Sequence, residues 1–177
     1  MEALAEQIGH TDKHTVHSYM PEYEKIFANR TDVLSVLEIG VLEGGSIKLW
    51  HSVFNNATIY GLDTDLSRNQ FPDLGPNVVL QQADAYDWQV CNALPQFDIV
   101  IDDGPHTLHS QKQCLQMYLP KLKSDGVLII EDVVSPSWIK DLTSMVPVGM
   151  RKHISVKDLR NVKGRHDDIM FIVDLRN

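Results

Sequence analysis

Val36-Leu37-Glu38-Ile39-Gly40-Val41-Leu42-Glu43-Gly44-Gly45-Ser46 is the stretch whose reading decides the fold. An uncharged apolar run ends in Glu-Ile-Gly, and a helical pattern opens after Gly-Gly. That is a buried strand entering a tight turn and then a helix. Gly40 lets a ligand approach the backbone closely. Ser46 reads as the N-cap of a helix over Ser46–Phe54, whose first N–H groups are free to face a ligand. Gly40-x-x-x-Gly44-Gly45 departs from the G-x-G-x-x-G of dinucleotide loops, which disfavours a dinucleotide dehydrogenase. Glu38, just before the turn, suits a cationic amino group.

Outward from this turn the pattern alternates. Apolar runs lie at Val33–Ile39, Ala57–Leu62, Val78–Leu80, Phe97–Ile101, Gly126–Ile130 and Ile169–Val173. Several are β-branched and free of charge, as in strands buried on both faces. Helical patterns at Ser46–Phe54, Thr107–Leu119 and Ser137–Met145 lie between them. Strand–helix alternation predicts an α/β fold with a doubly wound, mostly parallel sheet. A leading helical segment, Val16–Asn29, stands outside the repeat. The expected organisation is therefore residues 1–30 as an N-terminal segment and 31–177 as the Rossmann-like domain.

The bulk numbers set bounds. A chain of 177 residues, 43% hydrophobic, fits one domain with a full core. A net charge of −8 argues against nucleic acid as a partner, because phosphate neutralisation needs clustered Lys and Arg. The two cysteines, Cys91 and Cys114, have no zinc or CxxC spacing, which points to a reducing compartment. With no leader-like start and no long apolar stretch, the expectation is a cytoplasmic protein that does not engage a membrane.

Acids recur at strand ends. Asp63 follows Ile59-Tyr60-Gly61-Leu62, where a carboxylate can accept bonds from ribose hydroxyls. Asp84-Ala85 follows the next strand, where an adenine amine would fit. Asp102-Asp103 ends Phe97–Ile101, and Glu131-Asp132 ends Gly126–Ile130. In an open α/β sheet ligands bind at these carboxyl ends. Four carboxylates converging there need a cation or protons, and hard oxygens suit Mg²⁺. His106, in the turn before the Thr107 helix, can reach a substrate hydroxyl and suits a general base at neutral pH.

These segments resemble class I S-adenosylmethionine-dependent methyltransferases, and more narrowly the macrocin and mycinamicin sugar O-methyltransferase family (cephalosporin-hydroxylase-like). The narrower likeness rests on Gly9-His10-Thr11-Asp12-Lys13-His14-Thr15-Val16-His17-Ser18-Tyr19, Ile101-Asp102-Asp103-Gly104-Pro105-His106 and Ile130-Glu131-Asp132-Val133. The resemblance implies seven strands with the last antiparallel, S-adenosylmethionine as cofactor and a Mg²⁺ beside the transfer point. It implies Asp103, Glu131 and Asp132 as metal ligands and His106, with Asp103, as catalytic. It places Lys13, Glu38, Gly40, Gly44, Ser46, Asp63, Asp84, Ala85 and Asp102 around the cofactor. Lys13 would hold the methionine carboxylate or lie on a solvated helix face. Asp102 would face the cofactor or the fold. The expected partner is a hydroxyl acceptor, a small molecule or glycan. Catechol-type methylation and a non-catalytic nucleotide-binding module are the alternatives. The chain is short for the macrolide enzymes, which leaves room for a homo-oligomer completing the acceptor site. Pro105 stands where a small polar residue is common. Of the remaining residues, His109 is expected to be exposed, Trp138 is a candidate sugar platform and Trp88 lies near the adenine.

Overall fold

The computed structural model describes residues 1–28, 30 and 32–176. Asn29, Thr31 and Asn177, on which the expected segment ends fall, lie outside the described residues. The strands are β1 (Ser35–Ile39), β2 (Thr58–Asp63), β3 (Val78–Gln82), β4 (Phe97–Asp102), β5 (Leu122–Ile130), β6 (Ile154–Asp158) and β7 (Ile169–Asp174). The helices are α1 (Glu2–Ile8), α2 (Asp12–Thr15), α3 (Met20–Phe27), α4 (Gly45–Val53), α5 (Trp88–Ala93), α6 (Leu108–Tyr118), α7 (Trp138–Met145) and α8 (Arg160–Lys163). They build one sheet ordered β3-β2-β1-β4-β5-β7-β6. Pairings from β3 to β5 are parallel, and β7 runs antiparallel to β5 and β6. This is the expected Rossmann-like sheet of seven strands with the last antiparallel.

Alternation along each strand divides the core into two layers. Val36, Ile59, Ile99, Val127 and Ile129 face one side, with Trp50 of α4 and Tyr23 and Phe27 of α3. Leu37, Leu62, Val100, Leu128 and Ile130 face the other, with Cys114, Leu115 and Tyr118 of α6. On the first side aromatic rings close the layer: Tyr23 lies 4.9 Å from Trp50, and Phe27 lies 5.2 Å from Phe54. Of the expected helical segment Val16–Asn29, Met20–Phe27 is helical as α3. Two further helices, α1 and α2, precede Val16, and Gly9 and His10 adopt positive φ between them.

The helix after the glycine turn begins one residue earlier than expected. Gly44, at φ +82°, is its N-cap, so Ser46 is not. The Ser46 hydroxyl lies 3.3 Å from that of Thr11 instead. Register then aligns the strand ends. Ile39 pairs with Leu62 and with Asp102, and Asp102 pairs with Ile130. The next residues, Asp63, Gly40, Asp103 and Glu131, form a row along the carboxyl edge. Because β7 is antiparallel, its amino end reaches the same edge, where Val133 N–H donates to the Ile169 carbonyl.

Candidate active site

A cavity of about 870 Å³ opens at that edge. Its floor is Ile39, Gly40, Val41 and Leu42. Asp63 and Thr64 line it after β2, Asp84, Ala85 and Tyr86 after β3, and Asp103 to Thr107 after β4. His10, Thr11, Asp12 and Thr15 of the N-terminal segment cover it, and His109 and Gln113 of α6 form a further wall. The size fits a small-molecule or cofactor site.

Each half of the glycine turn has a steric reason. Gly40 has φ +89°, and a Cβ there would sit 2.0 Å from the Asp103 carbonyl oxygen. The close approach is thus to the end of β4 as well as to a ligand. A Cβ at Gly45 would meet the His10 carbonyl oxygen at 2.1 Å, so glycine here lets the N-terminal segment lie on α4. Gly44 does not line the cavity; its place in the turn is the helix cap.

Asp63 anchors the turn. One oxygen accepts from Val41 N–H at 2.8 Å and Leu42 N–H at 3.0 Å, and the other from Asp65 N–H at 2.9 Å. Burial opposes its charge, yet these three donors hold its carboxyl below the usual range. Asp84 accepts from Tyr86 N–H at 2.9 Å and faces the cavity beside Ala85. Asp102 is on the fold side: it is buried, accepts from the Tyr86 hydroxyl at 2.6 Å, and is pushed up to about 6 by burial.

Lys13 lies elsewhere than expected. Its side chain is fully buried and turned away from the cavity. The ammonium donates to Asp103 Oδ2 at 2.6 Å and to Glu131 Oε2, and lies 3.2 Å from Glu38 Oε1. Two carboxylates thus accept its hydrogen bonds, and Glu38 meets it as an ion pair alone. Burial alone would lower the Lys13 pKa, but those charges raise it well above the ordinary value. Glu38 is likewise buried away from the cavity, and burial, against the pull of Lys13, pushes it up to about 7. Both residues support the floor of the site from below, where a charge without a partner would be costly.

Glu131 belongs to the same buried set. Tyr23 donates to its Oε1 at 2.6 Å, and Lys13 binds its other oxygen. Of the three expected metal ligands, Asp103 and Asp132 reach a common opening while Glu131 is held back. His106 joins them there. Its Nε2 lies 3.8 Å from Asp103 Oδ1 and 3.6 Å from Asp132 Oδ2. Donor atoms of Asp103, His106 and Asp132 lie within 4.8 Å of one another. His106 and Asp132 both sit at positive φ, near +53° and +51°, a strained conformation for residues with side chains. Burial, and then the Asp103 charge, raises the Asp132 pKa. A divalent cation in the opening would relieve that repulsion, so the donor set fits one.

Each of the two carboxylates is anchored on one oxygen and free on the other. Asp103 gives Oδ2 to Lys13, and Asp132 gives Oδ1 to the Tyr19 hydroxyl. Gln111 fixes the loop by donating its amide to the Glu131 and Asp132 carbonyls at 3.1 and 3.2 Å. Tyr19, Tyr23, Tyr86 and Gln111 carried no role in the sequence, where nothing links them to acids so far along the chain. Trp50 is core, Trp88 is half-exposed outside the cavity lining and Trp138 is partly buried against the core. His109 is exposed, on the cavity rim.

Comparison with known proteins completes the description. Residues 37–133 match the family described as "Methyltransferase domain". The chain is 32% identical over 137 residues to the 8-demethyl-8-alpha-L-rhamnosyl tetracenomycin-C 2'-O-methyltransferase of Streptomyces olivaceus, covering 72% of this chain and 36% of that protein. It is 30% identical over 135 residues to the mycinamicin VI 2''-O-methyltransferase of Micromonospora griseorubida, covering 70% and 33%. The chain thus spans about a third of the length of these curated relatives. Among solved structures, the MycE methyltransferase from the mycinamycin biosynthetic pathway, in complex with Mg and SAH, superimposes with a TM-score of 0.72 at 20% identity. The match covers 98% of this chain and 54% of that one, and shows a shared fold.

Proposed function

The chain belongs to the methyltransferase-domain family, and from that premise we propose that it is an S-adenosylmethionine-dependent, Mg²⁺-dependent O-methyltransferase acting on a hydroxyl of a sugar or glycan. The observation that carries the reading is the juxtaposition of the 870 Å³ cavity with the Asp103–His106–Asp132 cluster, of which Asp103 and His106 line the cavity. The sugar O-methyltransferase relatives support the acceptor class, and the Mg and SAH in the MycE complex support the cofactor pair.

Bound, the cofactor supplies a sulfonium methyl and the divalent ion lowers the pKa of a nearby hydroxyl. The chain's own residues do the rest. The turn from Gly40 to Leu42, tied by Asp63, forms the floor for the cofactor. Asp84 and Ala85 flank its far end. Asp103 and Asp132 would hold the ion through the oxygens that Lys13 and Tyr19 leave free. His106 Nε2 would accept the proton of the acceptor hydroxyl. The covering residues His10, Thr11, Asp12 and Thr15 exclude water from one side.

The test is methyl transfer from labelled S-adenosylmethionine to a panel of vicinal-diol sugars and glycosides with Mg²⁺. Transfer to at least one acceptor, lost on chelation and in His106→Ala with cofactor affinity retained, is expected. Cofactor binding without transfer to any acceptor would overturn the acceptor assignment.

A further inference from the structure

Asp168 is the residue before β7, and the antiparallel direction of that strand brings it to the carboxyl edge of the sheet. It is fully buried. Its Oδ1 lies 2.7 Å from His17 Nδ1, and its Oδ2 has no hydrogen-bond partner among the described residues. His17, between α2 and α3, is also buried, and its Nδ1 lies 3.2 Å from Asp132 Oδ1. The His17 ring stacks on Tyr19 with centroids 5.0 Å apart and planes 12° apart. The Tyr19 hydroxyl donates to the same Asp132 oxygen.

Both neighbours of His17 Nδ1 are acceptors, so this nitrogen carries its proton. It hydrogen-bonds to Asp168, just before β7, and Asp132 Oδ1 at the opening lies 3.2 Å from the same nitrogen in a close ion-pair contact. Tyr19 and His17 thus hold Asp132 Oδ1 together, against a left-handed backbone and the repulsion of the Asp103 charge. Burying an acid such as Asp168 costs free energy unless it is paired, and packing alone would be served better by an apolar residue.

We propose that His17, itself oriented by Asp168, is a positioning residue that fixes Oδ1 of Asp132 inward and so presents Oδ2 to the divalent ion. The inference rests on the metal-dependent reading above. It links His17 and Asp168, which lie 151 residues apart in the sequence. Hydrogen-bond partners of metal-binding carboxylates typically change metal affinity by roughly 10–100-fold.

Mn²⁺ binding, followed by electron paramagnetic resonance and calorimetry on the full chain with S-adenosylhomocysteine present, tests this. The variants are His17→Leu, His17→Asn and Asp168→Asn, with thermal melts alongside. The wild type should bind one ion. His17→Leu should lose roughly 10–100-fold in affinity. His17→Asn, whose amide nitrogen replaces the Nδ1 donor, should recover most of the loss, and Asp168→Asn should fall between. S-adenosylhomocysteine affinity without metal should be the same in all four. Wild-type Mn²⁺ affinity in folded His17→Leu overturns the proposal. If that variant does not fold, wild-type affinity in Asp168→Asn overturns it. Two ions in the wild type, with one lost in Asp168→Asn, also overturn it, because His17, Asp132 and Asp168 are close enough to hold an ion themselves. A wild type that binds S-adenosylhomocysteine but no Mn²⁺ sinks the metal-dependent reading, and this inference with it.

Discussion

The two ends of β4 carry acids in opposite circumstances. At the amino end, Asp98 Oδ2 accepts from the N–H groups of Leu34 and Ser35 and the Ser35 hydroxyl, each at 2.9 Å, and from Lys123 at 2.8 Å. Burial works against the Asp98 charge, but these donors hold its pKa below the ordinary value. At the carboxyl end, Asp102 and the neighbouring Glu38, Glu131 and Asp132 all have raised values, with burial the main cause. One end supplies donors in excess of charge. The other packs charge in excess of donors and tolerates strained backbone at His106 and Asp132. Such perturbed clusters, in a cleft, are where chemistry is expected.

Lys13→Met breaks this contrast most severely. It leaves Glu38, Asp103 and Glu131 without their shared cation, and removing one partner of a buried ion cluster destabilises by about 3–5 kcal/mol. Denaturant unfolding at neutral pH should show that loss, and adding Glu131→Gln should recover part of it. Asp98→Asn tests the opposite end. It weakens charge-assisted bonds worth about 1–3 kcal/mol in total, and calorimetry should find S-adenosylhomocysteine affinity unchanged. An equal effect of Asp98→Asn on ligand binding would erase the distinction between the ends.

The pH dependence sharpens the comparison on a smaller scale. Asp102 binds its proton more tightly when folded, with a value of about 6 against an ordinary 3.8. Its contribution to stability therefore falls as pH rises through that interval. Asp98 behaves in the opposite sense, because its depressed value gives stability that is lost as pH falls through the acid range. Asp102→Asn keeps an acceptor for Tyr86 and abolishes the first effect. Thermal melts between about pH 4 and pH 7 should show the variant gaining on the wild type as pH rises.

Much of the framework was legible because apolar runs end where the strands end. β1, β2, β4 and β7 fall within a residue or two of the expected runs, and the acids after them fall at the cavity edge. β6 escaped detection because Ile-Ser-Val-Lys-Asp is a sheet-edge strand with no buried run. α1 and α2 escaped because each is short and the turn at Gly9 and His10 interrupts any helical period. The site was legible as a list of acids and a histidine, but not as a charge balance. Lys13 meets Asp103 and Glu131 at separations of 90 and 118 residues, and no local pattern records such pairing. The inward turn of Glu131 follows from that pairing and was equally hidden.

The central claim, that the cavity is a cofactor site beside a divalent ion, is tested most directly by titrating S-adenosylhomocysteine into wild type and Asp63→Ala, with and without Mg²⁺. The account predicts saturable wild-type binding in both conditions. It predicts affinity roughly tenfold weaker in Asp63→Ala, where Val41 and Leu42 lose the carboxylate that shapes the turn. No heat of binding to the wild type in either condition would contradict it.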